Sequence, residues 1–98
     1  MDELLSLAKQ TLGIIPTATA KDNEIEMILK AGINDMIRAG VDVDTTNHLV
    51  QNALVTYVKA NFGISNPTDK ERFMSAYRLF LAELSMSENY KSEEVTNE

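Results

Sequence analysis

Apolar residues in this chain recur at helical rather than alternating spacing, and they do so in four separate blocks. In the first block Leu4, Leu5, Ala8 and Leu12 share one face, which predicts a short helix from Asp2 to about Leu12. Asp2 can cap its start and Gly13 suits its end, because glycine enters the left-handed backbone region that closes helices. Ile14-Ile15-Pro16-Thr17 then breaks the pattern, since a proline disfavours helix at the residue before it.

The second block is the clearest. Ile25, Ile28, Leu29, Gly32, Ile33, Met36 and Ile37 fit a helical period from about Asp22 to Ala39, with Gly40 as the stop signal. Gly32 falls on the apolar stripe. A glycine inside a helix costs about 1 kcal/mol relative to alanine, so its presence there predicts a compensating close approach by a neighbouring helix.

Residues 41–46 supply a turn and several capping side chains before Leu49, Val50, Ala53, Leu54, Tyr57, Val58 and Phe62 mark a third helix ending at Gly63. The short connection predicts antiparallel packing of the second and third helices. Ile64-Ser65-Asn66-Pro67 interrupts again. Pro67 is acceptable in a first helical turn, and Thr68 with Glu71 matches a capping box. A fourth helix follows with Phe73, Met74, Tyr77, Phe80, Leu81 and Leu84 inward. The predicted fold is all-α: a small antiparallel bundle of four main helices over residues 1–90, with a mobile acidic tail over 91–98 whose single apolar residue is Val95.

Length changes little in this picture, because 98 residues suit one compact domain. An apolar fraction of 44% is enough to fold without disulfides or a structural metal. The absence of cysteine removes thiolate nucleophiles and sulfur-ligated metal sites together. No run is long and apolar enough to span a bilayer, and Met1-Asp2-Glu3-Leu4-Leu5 lacks the features of a secretion signal, so the chain reads as made in the cytoplasm. Charge narrows the partners further. Fifteen acidic against nine basic residues give a net charge of -6, which repels a phosphate backbone on average.

Candidate chemistry is sparse. His48 is the single histidine and has no nucleophile or orienting carboxylate suggested by its neighbours, so a helix-start surface position is the simpler reading. Glu24 with Glu26 and Asp42 with Asp44 are spaced by two, which on a helix sends the carboxylates to different faces. Asp42-Val43-Asp44 could open a calcium loop, but the glycine and distal glutamate of that loop are missing. The four glycines never cluster into a phosphate-binding loop. No catalytic residue, metal or cofactor is expected. A helix-turn-helix reading of residues 22–62 suffers because Leu49 to Phe62 contains one lysine and no arginine for phosphate and base contacts. Tyr57, Phe62, Phe73, Tyr77 and Phe80 are expected to meet across the third and fourth helices as core, with a partly exposed aromatic patch as the alternative.

Beyond these physical readings, Ala53-Leu54-Val55-Thr56-Tyr57-Val58-Lys59-Ala60-Asn61-Phe62-Gly63, then Asn66-Pro67, Arg72-Phe73 and Ser75-Ala76-Tyr77, resemble the head-tail connector proteins of tailed bacteriophages. Leu84-Ser85-Met86-Ser87-Glu88-Asn89-Tyr90 and the amphipathic stretch Ile25 to Ile37 extend that resemblance to nearly everything except the tail. It implies a structural adaptor, not an enzyme, in the virion at the head-tail junction. Such an adaptor joins the head after DNA packaging as a ring of about a dozen copies beneath the portal protein. It then offers a platform to a neck stopper or tail-completion protein while DNA passes through the channel without specific binding. Acidic side chains would then face the lumen. The polar tail either orders on docking to a partner, which makes Tyr90, Lys91, Glu93, Glu94 and Val95 the candidate interface residues, or is a solvated end without a role. The competing functional class is a small helical regulator that binds DNA or another protein.

Overall fold

The computed structural model describes residues 1–63 and 66–86, and every regular element among them is a helix. They are α1 (Asp2–Leu12), α2 (Asp22–Arg38), α3 (His48–Asn61) and α4 (Pro67–Met86). The all-α bundle inferred from periodicity is therefore the fold. The expected tail, 91–98, and the domain boundary at residue 90 lie outside the described residues.

Helix ends follow the local chemistry closely. Gly13 adopts φ 79°, and the Ile14 amide donates to the Lys9 carbonyl at 2.8 Å, which closes α1 with the wrapped-back bonds of a Schellman turn. Gly40 does the same for α2 at φ 86°, with the Val41 amide donating to the Met36 carbonyl at 3.1 Å and Val41 buried beneath the turn. At the start of α3, Asn47 Oδ1 accepts from the amides of Leu49 (2.8 Å) and Val50 (3.2 Å).

Three capping expectations need correction. The cap of α3 is Asn47 and not a side chain of residues 41–46. Asp2 is already the first helical residue of α1 and Met1 precedes it without a side-chain cap, so the acid acts only on the helix dipole. Thr68 does not open a capping box either, because α4 begins one residue earlier at Pro67. Asn66 fills the cap, its Oδ1 accepting from the Thr68 amide at 2.8 Å.

The core is organised around α3, which packs against all three other helices. Val50, Ala53, Leu54, Val55, Val58 and Ala60 are buried on several sides of it, and only His48 and Asn52 are exposed. The apolar arc of α3 is wide enough to meet three neighbours, and His48, Asn52, Thr56 and Lys59 share the remaining polar face. Its partner α4 runs antiparallel to it. Tyr57 meets Tyr77, whereas Lys59 and Asn61, further along α3, meet Phe73 and Met74, which come earlier in α4.

The close approach expected at Gly32 is present. A Cβ added there would sit 3.1 Å from Leu54 Cδ2 and 3.1 Å from Tyr57 Cδ2, tighter than ordinary van der Waals contact. Tyr57 is thereby caught between α2 and the ring of Tyr77, whose centroid is 4.9 Å away. Completing the seam, the Tyr77 hydroxyl donates to Asp35 Oδ2 at 2.7 Å and ties α4 to α2 across the top of α3.

Burial, and then the bond to the Asp35 carboxylate, push the Tyr77 phenol far above its ordinary value near 10. The sign follows. The protonated phenol is favoured in the fold, so this contribution is complete below the unfolded-state value and is lost as pH rises above about 10. Tyr77→Phe should cost about 1 kcal/mol at neutral pH, since Asp35 is half-buried and water can replace the lost donor. The variant should also lose less stability than the wild type between neutral pH and the alkaline range, as read by urea unfolding. Gly32→Leu should cost about 1 to 3 kcal/mol through overpacking against Leu54 and Tyr57, read as a lowered midpoint in thermal unfolding.

Candidate docking surfaces

The residues that could do chemistry are held apart. His48 is exposed at the first position of α3, and no group of three or more histidine, aspartate or glutamate side chains converges on a metal position among the described residues. Asp44 accepts from the Thr46 hydroxyl at 2.7 Å and the Thr46 amide at 3.0 Å, and these bonds, the hydroxyl first, hold its carboxyl below the usual range. Asp44 thereby folds the turn before α3, while the cap of that helix is Asn47 and not one of the side chains of residues 41–46 expected to supply it. Of the five aromatics expected in the core, Tyr77 is buried and Tyr57, Phe62 and Phe80 are half-buried against it, so packing accounts for these four. Half-buried Phe73 instead takes Lys59 at 5.0 Å and Arg72 at 5.6 Å over its ring.

A buried ion pair escaped the sequence reading. Lys9 is 5% exposed, its ammonium 2.9 Å from Asp22 Oδ1 and donating to the Pro16 carbonyl at 3.1 Å. Asp22 Oδ1 is itself buried without a well-aligned hydrogen bond, so the contact with Lys9 is chiefly electrostatic. A signal for it was available. Lys9 follows Leu5 by four residues and precedes Leu12 by three, which places it on the apolar stripe of α1. The pair fixes the connection between α1 and α2 and floors an open depression of about 560 Å³ bordered by Leu5, Gln10, Ile14 and Pro16.

Two helices turn apolar residues to solvent. On α2, Met27 (72% exposed) and Ile37 (58%) lie with Ala31 and Asn34 on the side opposite the buried Ile25, Leu29, Gly32 and Met36. On α4, Leu79 (73%) and Met86 (78%) are separated by two turns, with Ser75, Ala82 and Glu83 exposed beside them and Tyr77 and Leu84 on the buried side. Single exposed apolar residues are ordinary, but aligned pairs on two helices make extended contact surfaces. The surface residues expected from the sequence, Tyr90, Lys91, Glu93, Glu94 and Val95, lie outside the described residues.

A family model described as phage connector protein matches residues 4–91, which spans all four helices and both exposed stripes. The chain belongs to the phage connector protein family. No curated protein and no solved structure matches it. The connector family is structural and not enzymatic, its members are virion components, and they work by contact with other head and tail proteins. No helix among the described residues of this connector is long and apolar enough to cross a membrane.

The Lys9–Asp22 pair sets the entry geometry of α2 in this connector, and breaking it would leave Asp22 Oδ1 buried beside no cation. Lys9→Met should cost about 2 kcal/mol, less than a fully buried pair because Asp22 is a quarter exposed. Adding Asp22→Asn should cost less than the sum of the two single changes, which a double-mutant cycle in denaturant would read.

Proposed function

We propose that this connector completes the phage head once DNA has been packaged, assembling as a ring of about a dozen copies beneath the portal protein. The ring presents a platform to the next neck or tail component, a stopper or tail-completion protein, and the chain carries out no reaction of its own. The observation that carries this reading is the family match over residues 4–91.

Several physical features support it. Function by contact needs surfaces, and the exposed stripes of α2 and α4 supply them on a core that α3 closes without their help. A channel for DNA should not grip phosphate. The acids Asp2, Glu3, Asp42, Asp44, Asp69 and Glu71 are all exposed, and in a chain of net charge -6 they allow an acidic lumen past which DNA slides. Residues 91–98 carry three glutamates and one lysine, and we assign them, with Tyr90, to docking on the portal or neck partner.

The regulator reading is weakened by where α3 lies. As the second helix of a helix-turn-helix it would have to enter the major groove, yet it is the central helix of the bundle with two exposed residues.

The reading is tested by adding the purified chain to DNA-filled, tailless heads of the phage that encodes it and scoring head binding and tail joining. Binding that restores tail joining is expected, with no salt-sensitive association to duplex DNA. Failure to bind heads, together with salt-sensitive DNA binding, would replace the connector role with the regulator. Removal of residues 91–98 should leave the melting temperature unchanged and reduce tail joining, and undiminished joining would clear that segment of any role.

A further inference from the structure

The two exposed stripes differ in a way that suits them to each other. The face of α2 is cationic. Lys30 and Arg38 stand about one helical turn to either side of Asn34, and neither has an acidic partner among the described residues. Across residues 27–38 the only acid is Asp35, which is turned towards α4 by its bond with Tyr77. Glu24, one turn before Met27, is also exposed on this side and stands 3.8 Å from Lys21, so the unpaired charge of the face is that of Lys30 and Arg38, a departure from the average surface in a chain of net charge -6.

The stripe of α4 is its complement. Between Leu79 and Met86 the exposed charge is Glu83, one turn beyond Leu79, with no cation paired to it among the described residues, while Arg78, also exposed, stands one turn before Ala82 at the edge of the stripe. Relief matches as well as charge. Each stripe alternates large with small: Met27 and Ile37 flank Ala31 and Asn34 on α2, while Leu79 and Met86 flank Ala82 on α4. Leu79 can seat between Met27 and Ile37 as a knob in a hole, and Glu83 then meets Arg38 or Lys30 whichever way the helices run. The stripes cannot meet within one chain, because both helices bury their opposite faces in the core around α3.

We propose that the α2 face of one copy docks on the α4 stripe of the next, with Leu79 seated over Ala31 and Asn34 and Glu83 paired with a basic residue of α2. Because the patches are different, each copy uses one of each and the contact propagates head to tail, as a closed ring requires. This inference rests on the proposed self-assembly, and adds to it which surfaces meet.

The chain has no cysteine, so a pair can be introduced cleanly. In virions carrying Asn34→Cys with Ala82→Cys, a short bismaleimide should yield a ladder of covalent multimers, whereas each single variant should remain monomeric. Both positions are exposed, so thermal unfolding of the full-length variant should be unchanged. Lys30→Glu with Arg38→Glu should lower incorporation into particles by about tenfold or more, since like charges would then face Glu83, and adding Glu83→Lys should restore it. A variant present in particles but giving no ladder would overturn the α2–α4 contact and leave the connector role intact. Cross-linking of Asn34→Cys to Lys91→Cys in place of Ala82→Cys would give the α2 face to the C-terminal segment and also overturn it. Absence of the wild-type chain from virions would instead defeat the connector reading itself.

Discussion

The helix α2 lies as close to α3 as it does because residue 32 has no side chain, and a Cβ there would push Leu54 and Tyr57 back by a few tenths of an ångström. At that point the Leu54 and Tyr57 side chains approach to where a Cβ would be crowded at 3.1 Å. The consequences run outward from the contact. Tyr57 is wedged into place, Tyr77 stacks on it at a tilt, and the Tyr77 hydroxyl reaches across to Asp35 on α2. One missing side chain thus allows three helices to share a seam in which an aromatic pair is packed and its polar tip satisfied. The intrinsic cost of glycine in a helix is offset by that packing.

Burying the middle of the bundle so completely frees its outside. α3 takes contacts from α1, α2 and α4, so the outward faces of α2 and α4 are not needed to close the core and can carry exposed Met27, Ile37, Leu79 and Met86. This is the economy of a protein whose work is contact with neighbours. Its fold is a spacer that holds surfaces at fixed angles, and the chemistry of those surfaces is apolar relief with a few charges at the edge.

Much of the architecture was legible in the sequence because it depends on periodicity and on glycine. The four helices, the stops at Gly13 and Gly40 and the close approach at Gly32 all follow from local rules that tertiary structure did not override. What escaped were choices among near-equivalent neighbours. Asn66 caps α4 where Thr68 had the capping-box pattern, and the difference is whether Pro67 is the first helical residue. Val55 and Ala60 are buried off the expected stripe because α3 is covered from more than one side, which no single-helix period can reveal. Lys9 was visible on the apolar face of α1, but its partner Asp22 lies beyond a loop whose path periodicity does not specify. The docking stripes were harder still, since an exposed Met27 or Leu79 reads as one more apolar residue until the opposite face is known to be filled.

A reconstruction of the neck of the phage that encodes this chain tests the central claim most directly. The account requires four-helix subunits directly beneath the portal, with α3 enclosed within each subunit and the outward faces of α2 and α4 covered by neighbouring proteins. Subunits at that position whose α2 and α4 faces remain bare to solvent, or a lumen lined chiefly by the chain's lysines and arginines, would contradict the account of how it works. A neck without the chain would contradict the role itself.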